Sequence, residues 1–366
     1  MRQLADWGAN VICVEPPATA QEAMIDWKGS DYQNLHRNKR SLAMDLKSEA
    51  SREVFRRLLL ASDVVVENMR PTVKHRLGVD YESVKSVNPR IVYGSISGYG
   101  QDGPYSDWGS IDQIAQGMGG LMSVTGTPES GPMRVGIAIS DLAAGLYLAV
   151  GILAALHERE HSGEGQWVTT SLLEAMISML DFQATRWTID HEVPEPQGNS
   201  HPTIVPMGCF ATADGYVNLG AFGRLWPRLC EVLGAPRFDE DPRFQTSSDR
   251  VAKKELLNNL ITERLQQKST DEWVVALNEA GVPAGPVYRI DQVFADRQVQ
   301  HLGLEAPIDS LALGNLSLIR NAVTMSRSPN ALRSAAPSPG QHNAEILAEL
   351  GFSSEEIDCL ASKNAI

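Results

Sequence analysis

Strand-like and helix-like segments alternate along the first half of the chain, and that alternation restricts the fold more than any other feature. The runs NVICVE (10–15), SLAMD (41–45), DVVVE (63–67), RIVYGS (90–95) and WVTT (167–170) are short, apolar and bounded by turn-forming residues. Between them lie stretches with helical apolar spacing, at 49–61, 71–77, 81–86 and 112–119. Strands alternating with helices at such short intervals predict an α/β fold with a doubly wound, mainly parallel sheet.

The beginning departs from this pattern. Residues 1–8 read as the end of a helix with Gly8 as its C-cap, so the strand and turn that ordinarily open such a domain do not precede it. Pro16 and Pro17 stop the first strand, and 18–40 is a polar stretch with few apolar positions. Residues 97–110 and 125–134 are dense in Gly, Ser, Asp and Pro and read as loops. A long apolar helix opens at Asp141 and runs to about 160. It is closed by SGEGQ (162–166), and a further helix is expected over 171–188.

These segments make residues 1–188 a large domain. Residues 189–206, rich in Pro, His and Asn, read as a linker. From 207 the texture changes. Asp214-Gly215 separates two short apolar runs, a hairpin signal, and helical patterns follow at 224–233, 249–265 and 270–280. This is a smaller α+β domain spanning 207–300. A Pro-, Ser- and Gly-rich tail, 301–366, ends in two helical segments at 341–350 and 353–361.

Thirty-two basic residues against 45 acidic ones give a net charge of −13. Nucleic acids and anionic membranes are bound through a positive footprint, so neither is an expected partner. The cations that are present gather at Arg37, Lys39, Arg40 and Lys47 and again at Arg70, Lys74, His75 and Arg76. Two readings stand: salt-bridged surface, or contacts to phosphate. No Walker loop is present to indicate a nucleoside triphosphate, and there is no Gly-x-Ser-x-Gly elbow. The one GxGxxG spacing, Gly98–Gly103, lies inside the turn-rich 97–110 segment and opens no helix, so it does not indicate a nicotinamide cofactor. The four cysteines, Cys13, Cys209, Cys230 and Cys359, form no CxxC pair. Reduced thiols, no metal site and a cytoplasmic location are expected. The apolar helix near 142–156 is short for a bilayer span, which needs ~20 residues.

Asp141 admits two readings. Asp is among the best N-cap residues, and the long helix follows it directly. Yet two Gly-rich loops lie just upstream, and Ala143, Ala144 and Gly145 leave room for backbone or ligand to approach. A helix N-terminus stabilises an anion there, and an oxyanion formed from it. His201, in GNSHPTIVP, is either a local hydrogen-bond partner or a catalyst.

Taken together, VEPP (14–17), RNKRSLAMDLK (37–47), DVVVENMRP (63–71), RLG (76–78) and NPRIVYGSISGYGQDGP (88–104) begin a series of motifs in order. The D-x-x-AQ segment (112–116), the glycine-spaced helix from Asp141, SGEGQ, GNSHP, ATADGYV (211–217) and AGVPAGPV (280–287) continue it. The chain resembles the class III CoA-transferases over nearly its whole length. The resemblance implies an acyl-CoA:carboxylate CoA-transferase with coenzyme A thioesters and carboxylic acids as substrates and no tightly bound cofactor. It also implies a Rossmann-like large domain, a C-terminal tail that returns to it, and an interlocked homodimer.

The family's nucleophilic aspartate falls on Asp141. It attacks the thioester carbonyl, forms a mixed anhydride, and is converted to an aspartyl-CoA thioester that an acceptor carboxylate then resolves. CoA contacts carry over to Met44, Asp45, Leu46 and Lys47, to Asn68, Met69 and Arg70, to Arg76, and to the segment Gly109, Ser110, Ile111 and Asp112. The resemblance implies Lys47, Arg70 and Arg76 as its expected phosphate partners, Asn68 as the residue holding the adenine or pantetheine arm, and a place for Asp112 near the reacting acid. Two other readings differ from this one. An α-methylacyl-CoA racemase pairs a His with the aspartate, but Ile111 occupies that position. A CoA-binding protein without catalysis would follow from the abbreviated N-terminus. The glycine-rich loop of formyl-CoA transferases is replaced between 181 and 206 by a short segment, which disfavours oxalate.

Overall fold

The computed structural model describes residues 1–17, 26–234 and 238–366, and residues 18–25 of the polar stretch lie outside them. The chain divides into two compact units. The first contains residues 1–121, 135–185 and 297–366; the second contains 122–134 and 186–296. Sequence boundaries miss two parts of this division. The loop 122–134 belongs to the second unit, as do the residues expected to form a linker. Gly198 N–H donates to Gly126 O at 2.7 Å, and Cys209 N–H to Asn199 O at 3.0 Å, so these segments are tied down by backbone pairing.

In the first unit β1 (Val11–Glu15) pairs in parallel with β2 (Lys39–Ala43). A second parallel sheet has the order β3 (Val64–Glu67), β4 (Val92–Ser97), β5 (Trp167–Ser171). The expected single wound sheet is therefore two parallel sheets among the described residues. The polar stretch holds a helix, Ser30–His36, which apolar spacing does not reveal because its buried residues are Tyr32 and Gln33. The tail contains an unforeseen antiparallel hairpin, β9 (Glu305–Ser310) and β10 (Gly314–Ile319). Its last helices, Asn343–Glu349 and Ser354–Ser362, bury Ile346, Leu347 and Leu360 with Leu42, Met44 and Val54. Asn343 Oδ1 accepts from Ala43 N–H at 2.8 Å, and His342 Nδ1 from Ser41 N–H at 3.1 Å, so the tail satisfies amides of β2.

The helix Ile139–Ser162 organises the site. It is 24 residues long, extends past both ends of the apolar stretch seen in sequence, and by length and composition alone could cross a membrane. Here its buried row, Ala144, Leu148, Ile152, Ala155 and Arg159, faces the unit's interior. Leu148 and Ile152 pack with Val92 of β4, and Gly94 permits this because an added Cβ would lie 3.2 Å from Ile152. Arg159 ends the row by bonding Asp63 Oδ1 at 2.8 Å. A second helix expected over 171–188 is broken into Leu172–Met179 and Phe182–Asp190, with Asp181 at φ 49° between them.

In the second unit β6 (Met207–Ala211), β7 (Tyr216–Gly220) and β8 (Ala284–Pro286) form an antiparallel sheet. Its core gathers Phe210, Val217, Trp226, Leu229, Leu257, Ile261, Trp273 and Leu277 from the sheet and the surrounding helices.

Candidate active site

Asp141 is not the N-cap of its helix. The helix begins at Ile139, the N-cap position is Ala138, and no side chain of that residue caps it. Capping comes instead from a neighbouring helix, Asp112–Met118. Asp112 Oδ1 accepts the Ser140 backbone N–H at 2.9 Å and its hydroxyl at 2.7 Å. One of the amides that a helix start leaves unpaired is thus satisfied in trans. Asp141, in the first turn, is left with its carboxylate reaching solvent.

The helix Asp112–Met118 is held by close packing. Ala115 sits with Ala143, Ala144, Ala175 and Met176, and a Cβ on Gly119 would come within 2.5 Å of Met176. Such contacts bring Asp112 up to the entrance of the long helix. Asp112 is 9 % exposed and lies near enough for its charge to act on Asp141. The Asp141 pKa is raised above the usual aspartate range, first by desolvation and second by the Asp112 charge. A carboxylate in this state attacks more readily than a fully hydrated one, because part of its hydration has been removed before substrate arrives.

Loop 97–110 ends beside this pair. Gly98 faces Ser110 so closely that a Cβ would stand 2.3 Å from the serine Cβ, which lets the two ends of the loop cross. The Arg70 guanidinium lies over Gly109, where a Cβ would meet its Nη2 at 2.8 Å. Two segments assigned to CoA from the resemblance, Asn68–Met69–Arg70 and Gly109–Ser110–Ile111–Asp112, are therefore adjacent. Tyr99, Tyr105 and Trp108 form an aromatic cluster in the same loop, with Tyr105 and Trp108 centroids 4.2 Å apart. Among the described residues, the side chains of Lys47, Arg70 and Arg76 are exposed and carry no ion pair.

Of the other cations in the two basic groups, Arg37, Arg40 and Lys74 follow the salt-bridge reading. Arg37 is 2 % exposed and bonds Asp6 at 2.7 Å. Arg40 bonds Glu345 and Glu349 of the tail. Lys74 is 1 % exposed, and its Nζ bonds Glu67 Oε1 at 2.9 Å, Ser95 Oγ at 3.3 Å and Gln101 Oε1. An ammonium so enclosed cannot meet a phosphate; it fixes the turn that presents Asn68, Met69 and Arg70. Met44, assigned to CoA, is buried at 2 % with Leu42 and Val54, which leaves only its backbone for a ligand. Leu46 packs against the same cluster, and Asp45 Oδ1 accepts the Lys47 N–H at 3.0 Å. His201 Nδ1 accepts from Thr203 and Ile204 amides, a local turn contact. Ile111, at the racemase histidine position, is exposed.

Cys13, Glu15 and His36 bring donor atoms within 4.8 Å of one another, a grouping that sequence spacing did not show because β1 and the helix Ser30–His36 contribute separately. Glu15 already accepts from Tyr32 and Ser41, and the Lys39 ammonium acts on both Cys13 and Glu15. That positive charge opposes a bound cation.

The family model for CoA-transferase family III matches residues 1–343. The chain belongs to CoA-transferase family III. This family member is 37% identical to a succinate–glutarate CoA-transferase of Agrobacterium fabrum, over 95% of this chain and 90% of the relative. It is 32% identical to the human succinyl-CoA:glutarate CoA-transferase, over 95% of this chain and 81% of that one. A solved CaiB/BaiF family protein from Brucella suis superposes with a TM-score of 0.83 at 35% identity, covering 95% of this chain and 94% of the other. The fold class common to this family is the mixed α/β one observed.

Proposed function

We propose that this family III member transfers CoA from an acyl-CoA to a free carboxylic acid through covalent intermediates on Asp141. The Asp141 carboxylate attacks the thioester carbonyl; the C–S bond breaks and CoA thiolate leaves, giving a mixed anhydride. The thiolate then attacks the aspartyl carbonyl of the anhydride, releasing the donor acid as its carboxylate and leaving an aspartyl-CoA thioester. An acceptor carboxylate attacks that thioester, again expelling thiolate, and the thiolate takes the new acyl group. Asp141 is regenerated, and no proton or electron is left over. Each step exchanges carbonyl derivatives of comparable reactivity, which an ester-forming serine could not do.

The observation that carries this reading is the Asp141 carboxylate itself. It is solvent-accessible at the first turn of a helix, relieved of capping by Asp112 and raised in pKa by burial and a like charge. Exposed Lys47, Arg70 and Arg76 are the proposed phosphate contacts, with Asn68 and Met69 along the CoA arm and Gly109–Asp112 beside the reacting acid. The relatives' named substrates support a small dicarboxylate as acid and its CoA thioester as donor. In the test, enzyme mixed with succinyl-CoA is digested and the peptide containing Asp141 is analysed by mass spectrometry. A CoA thioester that disappears with hydroxylamine is expected, together with loss of transfer in D141A by at least ~10⁴-fold, the order found when a covalent nucleophile is removed. Full transfer by D141A rejects the mechanism.

The same reading includes a Rossmann-like winding of the large unit and a homodimer. Leu142, Leu146, Val150 and Leu153 form an exposed apolar row on the long helix, spaced for one face. A second copy is the occupant that this reading assigns to the row.

A further inference from the structure

We propose that Gln116 is a positioning residue for the Asp141 nucleophile, acting through Asp112 and Ser140. This rests on the proposed role of Asp141 and extends it to a residue that touches no substrate.

Gln116 is 0 % exposed, and its amide is spent on three bonds. Nε2 donates to Asp112 Oδ2 at 2.7 Å and to Ile137 O at 3.3 Å, while Oε1 accepts the Val135 N–H at 2.9 Å. One side chain thus joins the strand of loop leading into the long helix to the carboxylate that caps that helix. Asp112 has its other oxygen on Ser140, the residue before Asp141. The chain of contacts runs Gln116–Asp112–Ser140–Asp141, and a shift at Gln116 is passed to the helix entrance. Asp112 and Gln116 are four residues apart on one helix, so their bond is also supported by local geometry.

Only an amide fits this place. It gives a proton to a carboxylate and takes one from a backbone amide in the same plane. A leucine of similar size leaves the Val135 N–H and one Asp112 oxygen buried with fewer partners, at a cost to local order. A glutamate keeps the acceptor for Val135 but places a second carboxyl against Asp112. Two carboxyls at hydrogen-bond distance retain one shared proton and lose it only at higher pH than either alone. Among the described residues, the charged groups at this network are Asp112 and Asp141, with the exposed Arg134 next to Val135 in the sequence. Asp112 is the charge that acts on Asp141. The helix Leu172–Met179 packs inward with Leu172, Ala175 and Met176, while its Glu174 is exposed. The long helix contributes Asp141 in its first turn.

The experiment measures kcat and KM against pH, with the rate of Asp141 adduct formation by rapid quench, for wild type, Q116L and Q116E. In Q116L kcat and adduct formation fall about 10²-fold, as for a nucleophile displaced by a fraction of an ångström to an ångström, while KM for acyl-CoA stays within about twofold. Q116E, whose shared proton preserves the contact, approaches wild-type kcat at the acid end. It then loses rate as pH rises and the pair gives up that proton, a basic limb absent from wild type. A purely structural residue would not create that limb. Adduct formation at the wild-type rate in Q116L, or a Q116E profile that superimposes on wild type, overturns the positioning role. If Q116L does not fold, the Q116E profile decides alone. Absence of any acyl or CoA adduct at Asp141 in the wild type instead overturns the nucleophile assignment, so the two failures are distinguishable.

Discussion

Replacing Lys74 by Met should unfold the first unit far more readily than its surface-like sequence context implies. The ammonium is 1 % exposed and 2.9 Å from Glu67 Oε1. Glu67 is itself 8 % exposed and also accepts the Ser95 hydroxyl at 2.5 Å and the Met69 N–H at 2.7 Å. Those two donors remain in K74M, but they do not neutralise a buried carboxylate. Removing one partner of such a pair costs ~3–5 kcal/mol. For a unit of this size that corresponds to a midpoint lowered by about 6–20 °C. The double variant K74M/E67Q removes the stranded charge; its single amide oxygen can keep the Met69 N–H while its NH2 donates to the Ser95 hydroxyl, so most of the loss should return, short of ~1 kcal/mol per missing hydrogen bond. Urea unfolding followed by circular dichroism measures both, and acyl-CoA KM is measured alongside because the pair frames the Asn68–Arg70 turn. If K74M lies within about 1 kcal/mol of wild type, or the double variant is no better than the single, the buried-pair argument is wrong.

Three further outcomes are expected. Asp141 attacks in its ionised form and its pKa is raised, so activity falls as pH drops through a value above that of an ordinary aspartate. D112N removes the second cause of that rise and should move the acid limb of kcat to lower pH, with burial keeping it above the limb of a free carboxylate; an unmoved or higher limb contradicts the assignment. R70A should raise KM for acyl-CoA about 10-fold with kcat little changed, and R70K should recover part of it, since a lost charge-assisted contact is worth ~1.5 kcal/mol or more; equal KM values remove Arg70 from the CoA site. V150E on the exposed apolar row should convert a dimer to monomers in sedimentation; a wild-type chain that sediments as a monomer, or a variant that stays dimeric, refutes that interface.

The pattern of short apolar runs and helical spacing determined the α/β class, the strands β1 to β5 within a residue or two, and the hairpin of the second unit. Those features depend on local propensity and periodicity, which each segment carries in itself. The motif series determined the family, because residues held in order along the chain are read without knowing where they lie in space. Folding alone decided which charges are buried. Arg37 and Lys74 look like Lys47 and Arg70 in the sequence, but folding encloses Arg37 against Asp6, 31 positions away on the helix Arg2–Asp6, and Lys74 against Glu67, seven positions back at the end of β3. Folding also decided that Asp141 is not a cap. The competing capper, Asp112, lies 28 positions before Ser140, and only the packing of two helices through Ala115, Ala143 and Ala144 brings its oxygen to the Ser140 amide. A cap and a nucleophile share the same residue type at the same helix end, and what separates them is which carboxylate the tertiary structure brings to the orphaned amide.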